Sequence, residues 1–123
     1  MSGLTTHVLD TMHGRPAEGV AVRLYRLDAA AARPEAAAAL VASATTNRDG
    51  RLDAPILSGE QMAAGRYRLE FDVGAYFRAR GVQGAQPAFL ETVPIDFGIA
   101  EPASHYHVPL VATPWSYSTY RGS

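Results

Sequence analysis

The chain has 123 residues, 47% of them hydrophobic, a formal net charge of −1 and no cysteine. That length fits one domain spanning residues 1–123, with enough buried surface to fold without staples. The missing cysteines exclude disulfides, thiolate metal sites and a thiol nucleophile. The near-neutral charge excludes the basic footprint of a nucleic-acid-binding domain.

In chain order, strand signals dominate. Residues 4–9 (LTTHVL) are β-branched and apolar and end at Asp10. Gly14, Pro16 and Gly19 then make residues 10–19 a loop. Residues 20–27 (VAVRLYRL) alternate, with Val20, Val22, Leu24 and Arg26 on one face and Ala21, Arg23, Tyr25 and Leu27 on the other. The alanine-rich stretch 28–38 favours helix, but Pro34 interrupts it, so it reads as a long loop into a strand at about 40–46. Asn47-Arg48-Asp49-Gly50 is a turn, and Arg51 starts the next strand.

Residues 59–64 suit one helical turn. Residues 66–73 alternate, with Tyr67, Leu69, Phe71 and Val73 sharing a face. Residues 75–80 read as a short helix closed by Gly81. Pro94 marks the strand at 89–97 as an edge or a bulge. Two last strands, 104–112 and 115–121, flank Thr113-Pro114. Seven or eight short strands and one short helix describe an all-β, two-sheet sandwich. No apolar run approaches the roughly 18 residues that would span a bilayer. No secretory signal or Ser-Lys-Leu ending is visible, so the expectation is a soluble, cytoplasmic protein.

Four histidines carry the chemical interest. Alternation puts His105, His107 and Pro109 on one face of their strand and Tyr106, Val108 and Leu110 on the other. Two histidines two apart suit a metal or a general base with a partner; the commoner reading is a pair of partly exposed strand histidines. A third metal ligand is not obvious. His7 faces the same way as Thr5 and Leu9 and by itself reads as structural. His13 falls in the loop, where solvation is expected. Arg51 is either a surface charge or a fixed fork for an oxygen-rich substrate. The ending Tyr117-Ser118-Thr119-Tyr120-Arg121-Gly122-Ser123 is aromatic and β-rich where chain ends are usually polar and frayed. It suggests a packed terminus at a subunit interface.

Four segments together resemble the transthyretin-like 5-hydroxyisourate hydrolases: residues 4–25 (LTTHVLDTMHGRPAEGVAVRLY), 46–52 (TNRDGRL), 65–77 (GRYRLEFDVGAYF) and 105–123 (HYHVPLVATPWSYSTYRGS). The terminal Tyr-Arg-Gly-Ser is the most specific of these, and segment 28–38 is the main unmatched piece. The resemblance implies a transthyretin-like (prealbumin-like) sandwich and a homotetramer, a dimer of dimers with the site at the dimer–dimer interface. It implies hydrolysis of 5-hydroxyisourate to 2-oxo-4-hydroxy-4-carboxy-5-ureidoimidazoline in urate breakdown, without metal or cofactor. Matched residue by residue, the catalytic positions are His7, Arg51, His107 and Ser123, and Tyr120, Arg121 and Gly122 join them in binding substrate. The competing expectation is a transthyretin-like carrier of small molecules without catalysis.

Overall fold

The computed structural model describes residues 2–27 and 39–122. The alanine-rich segment 28–38 and Ser123 lie outside the described residues. Two sheets face each other across an apolar core. The first contains β1 (Gly3–Asp10), β2 (Arg15–Pro16), β5 (Leu57–Ser58), β8 (His105–Ala112) and β9 (Tyr117–Thr119). The second runs β4 (Ala39–Thr45), β3 (Ala21–Leu27), β6 (Gly65–Phe71), β7 (Val93–Ile99). One helix, α1 (Val73–Ala79), follows β6, and a single 3-10 turn covers Gly59–Gln61.

The alternation read from the sequence is what separates core from surface. In β1 the even residues Leu4, Thr6, Val8 and Asp10 are buried, whereas Thr5, His7 and Leu9 are half-buried on the outer face. Tyr67, Leu69 and Phe71 of β6 point inward with Val22 and Leu24 of β3 and Leu110 of β8. Fully burying each such side chain contributes on the order of 1.5–3 kcal/mol before entropy is counted. Leu27 is buried as well, against its expected face, in a strand whose pairing with β4 shifts register between Leu24 and Tyr25. Pro94 lies on β7, the edge strand of its sheet, where its missing N–H costs no ladder bond.

Several boundaries differ from the sequence reading. Nine strands are present among the described residues, because the loop after Asp10 carries the two-residue β2 and the segment after Arg51 carries the two-residue β5. Residues 89–92 stay outside β7, and β9 is limited to Tyr117–Thr119. The helix begins at Val73, since Asp72 is held out of β6 by two 2.8 Å hydrogen bonds from Arg23. Arg51 opens no strand; it forms an isolated antiparallel bridge with His7.

β1 is paired along both edges. β8 runs parallel to it over its whole length, from Gly3 opposite His105 to Asp10 opposite Ala112. Its other edge is shared by β5 at Gly3–Leu4, the Arg51 bridge at His7 and β2 at Leu9–Asp10. Asp10, 1% exposed, ties the end of β1 to α1 and to the following loop. Its carboxylate accepts from Tyr76 Oη (2.8 Å), His13 N (2.9 Å) and His13 Nδ1 (2.6 Å). His13 is exposed as expected, yet tethered. Burial, followed by the Asp10 carboxylate, pushes the Tyr76 hydroxyl up to about 12. Tyr76→Phe leaves that carboxylate one donor short and should lower stability by about 1–3 kcal/mol. Thermal unfolding measures this, and an unchanged melting temperature would show that the bond contributes nothing.

Candidate active site

The outer face of the β1–β8 pair gathers residues from three distant parts of the chain. Thr5 lies opposite His107 across the parallel ladder, and His7 opposite Pro109. The third part is the turn 47–51. Asn47 builds it: the side-chain oxygen accepts from the N–H groups of Asp49 (2.9 Å) and Arg51 (3.2 Å). The Asn47 carbonyl accepts from Gly50 N–H (2.9 Å), and Asn47 N–H donates to the Arg51 carbonyl (2.7 Å). Gly50 has φ +74 and packs so closely on β1 that a Cβ there would collide with the Val8 carbonyl, so glycine is required twice over. Val8 N–H donates to the Gly50 carbonyl at 2.8 Å, which docks the turn on the strand.

This docking orients His7. Its Nε2 lies 2.9 Å from the Asp49 carbonyl, which only accepts, so Nε2 carries the proton. A neutral His7 therefore has its lone pair on Nδ1. The Cδ2 edge of the ring lies against Gly50, where a Cβ would be 3.2 Å from it. His107 is held differently: its Nδ1 lies 2.8 Å from Thr5 Oγ1. The same Oγ1 is 3.1 Å from Nε2 of the exposed His105.

A cleft of about 470 Å³ opens here, lined by Thr5, Arg51, Asp53, Pro55, His105 and His107 among others. It lies within the usual volume range of small-molecule sites, about 300–1,000 Å³. His7 stands beside this wall rather than in it, two residues along β1 from Thr5. Arg51 is exposed, and its guanidinium makes no ion pair or hydrogen bond to another described residue. Arg23, Arg68 and Arg78, by contrast, are all paired with carboxylates. A second cleft, near Phe77, Val82, Phe89 and Trp115, is apolar and holds only about 100 Å³; the one arginine in its wall, Arg78, is bound to Glu91. Among the described residues, no three His, Asp or Glu side chains are placed to hold a metal ion.

The chain terminus closes one side of the site. Gly122 bridges to His107 and donates its N–H to the His107 carbonyl at 2.8 Å. A Cβ at Gly122 would lie 2.5 Å from His107 Cδ2, so the glycine lets the tail pass against the ring. Arg121 does not enter the cleft. Its guanidinium stacks 4.1 Å above the centre of the Tyr106 ring and donates to the His105 carbonyl at 3.2 Å. Tyr120 is 63% exposed. Ser123 lies outside the described residues. Sequence reasoning missed Thr5 and the Asp49 carbonyl, because a threonine in a strand and a carbonyl in a turn carry no signal of their own.

Burial first, then the Arg51 cation, lowers the pKa of His7, against the opposing hydrogen bond to Asp49. Burial, Arg51, His7 and His105, in that order, lower that of His107. Both are therefore biased further towards the neutral form at pH 7. The unfolded chain, with imidazoles near 6.5, binds more protons in the window below that value. The stabilisation tied to the neutral pair is thus complete above about pH 6.5 and lost as pH falls through the folded values. Proton NMR should place both midpoints below about 6.5, and Arg51→Gln should raise both. Midpoints that ignore Arg51→Gln would mean that its charge does not reach the rings.

The profile of the HIUase/Transthyretin family matches residues 4–122. The 5-hydroxyisourate hydrolase of Pseudomonas aeruginosa is 51% identical over all of this chain and 93% of its own length. Among solved structures, an (S)-allantoin synthase superposes with a TM-score of 0.88 at 46% identity, covering 99% of this chain, which spans 44% of that one. A sea bream transthyretin in complex with thyroxine superposes with a TM-score of 0.80 at 28% identity, over 98% of this chain and 94% of that one.

Proposed function

The chain belongs to the HIUase/Transthyretin family, and we infer from that membership that it hydrolyses 5-hydroxyisourate in the cleft beside Arg51 and His107. It is a hydrolase of the 5-hydroxyisourate type. The carrier reading is weaker: identity to the hydrolase is 51%, against 28% to the thyroxine-bound transthyretin. A carrier also has no use for two imidazoles held neutral beside an uncommitted guanidinium. That arrangement is the observation that carries the reading.

The reaction adds water across a ring amide. The water oxygen bonds to a ring carbonyl carbon, and one water proton passes to an imidazole. The tetrahedral intermediate then breaks its C–N bond. The imidazolium returns the proton to the leaving nitrogen, so the histidine ends as it began. We assign proton transfer to His107, which lines the cleft, and water orientation to His7, whose Nδ1 lone pair is set by the Asp49 carbonyl. A placed base of this kind is worth about 10²–10⁴ in rate. Arg51 holds the oxygen-rich ring and stabilises the oxyanion, worth on the order of 10²–10³. Ser123 is assigned a hydrogen bond to substrate or water. Tyr120 is assigned to a neighbouring subunit's side of the site.

The quaternary part of the reading is a homotetramer whose dimer–dimer interface contains the cleft. Its support is the exposed Tyr117, Tyr120 and Trp115 near β9, an edge strand of its sheet. The place in urate breakdown is supported by the likeness to an (S)-allantoin synthase.

Urate with urate oxidase supplies the unstable substrate, whose ultraviolet absorbance reports its decay. Arg51→Ala should slow turnover about 10²–10³-fold and His107→Asn about 10²–10⁴-fold, each with an unchanged fold. Near-normal turnover in Arg51→Ala would remove the arginine from the mechanism, and a collapse in melting temperature for His107→Asn would make that histidine structural. A tag fused after Ser123 should depress activity more than one before Met1, since Gly122 packs on the His107 ring. Equal activities would argue against an enclosed terminus.

A further inference from the structure

Thr5 Oγ1 lies within hydrogen-bond distance of two imidazole nitrogens, His107 Nδ1 at 2.8 Å and His105 Nε2 at 3.1 Å. A hydroxyl has one proton and cannot donate to both rings. It donates to at most one ring and accepts from the other or from both, so wherever it bridges the two rings their tautomers are tied together. In one direction His107 Nδ1–H donates to Thr5, Thr5 donates to an unprotonated His105 Nε2, and His107 Nε2 is a lone pair. In the other, His105 Nε2–H donates to Thr5, Thr5 donates to His107 Nδ1, and His107 Nε2 carries the proton.

We propose that Thr5 and His105 are positioning residues that hold His107 as the Nδ1–H tautomer, leaving its Nε2 as a lone pair towards the cleft. This rests on the reading that His107 takes a proton from water. Three observations set the direction. His107 Nδ1 is occupied by Thr5 Oγ1 at 2.8 Å, and the ring also bonds to the Thr5 backbone carbonyl, which only accepts and so favours a ring N–H there. On its other edge the ring lies against Gly122, so close that a Cβ there would be 2.5 Å from His107 Cδ2. Third, His7 Nδ1 is already an acceptor, since its Nε2–H is spent on the Asp49 carbonyl. A water molecule has two protons and needs two acceptors before its own lone pair is aimed at a carbonyl carbon. The Nδ1–H tautomer of His107 supplies the second acceptor; the opposite tautomer supplies a donor, which Arg51 already provides. Free imidazole favours the Nε2–H tautomer in water, so the catalytic form is one that the protein has to impose.

Both residues also line the cleft, so the test reads the tautomer as well as the rate. Long-range proton–nitrogen correlation spectra of the ¹⁵N-labelled full chain distinguish protonated from unprotonated ring nitrogens. The wild type should show His107 protonated at Nδ1 and bare at Nε2. Thr5→Val keeps the β-branched shape that β1 prefers but removes the hydroxyl. It should move the proton to Nε2 and lower kcat on freshly generated 5-hydroxyisourate about 10²-fold, with KM changed by less than about twofold. Thr5→Ser should restore both. His105→Phe, which leaves Thr5 without its acceptor, should show a partial proton shift and a loss of about tenfold, below the general-base range. A wild-type His107 protonated at Nε2, or a Thr5→Val protein with unaltered kcat and tautomer, would overturn the proposal. If no variant and no wild type hydrolyses the substrate while the Nδ1 proton is present, the tautomer control stands and the hydrolase reading fails.

Discussion

Everything in the site hangs from the backbone of β1. An unpaired N–H or C=O in a half-buried strand is costly, and β1 meets that constraint on both edges with segments far away in sequence. On one side the parallel ladder with β8 sets Thr5 opposite His107, a hundred residues on. On the other, the Gly50 carbonyl accepts from Val8 N–H and brings Asp49 and Arg51 to His7. A one-residue slip on either edge would turn the outward residues into the core. The buried partners Leu4, Val8 and Leu110 oppose that slip, so the packing that stabilises the sandwich is also what registers the groups proposed for catalysis.

The electrostatics follow from that placement. The Arg51 guanidinium, with no carboxylate partner among the described residues, sits near two partly buried imidazoles, and both histidines are biased to the neutral form that accepts protons. Elsewhere on the molecule arginines are spent on structure: Arg23 on Asp72 and Glu70, Arg68 on Asp96, Arg78 on Glu91, Arg121 on the Tyr106 ring. A guanidinium free of the described carboxylates beside His7 and His107, both biased towards the neutral form, suits stabilising an oxyanion and deprotonating water at the same time. A closed salt bridge at Arg51 would have removed both properties.

Much of this was legible in the residues. Alternation in LTTHVL and HYHVPL put His7 and His107 on outward faces, and Asn47-Arg48-Asp49-Gly50 announced its turn. Pro94 announced an edge strand or a bulge, and β7 is an edge strand. What the sequence could not show was pairing between distant segments. Nothing local says that β1 and β8 run parallel, that Arg51 bridges to His7 in place of starting a strand, or that Thr5 stands between two histidines. Those facts belong to register, which only the assembled sheet defines. The resemblance counts Arg121 among the substrate-binding residues, whereas its guanidinium stacks on the Tyr106 ring and donates to the His105 carbonyl.

The most direct measurement is a crystal structure of the protein with a stable, planar, oxygen-rich analogue of the substrate ring. The analogue is expected in the cleft between β1, β8 and the 47–51 turn, with an oxygen on the Arg51 guanidinium and its edge facing His107 Nε2. An analogue seated instead in the apolar cleft by Phe89 and Trp115, with Arg51 and both histidines untouched, would contradict the account.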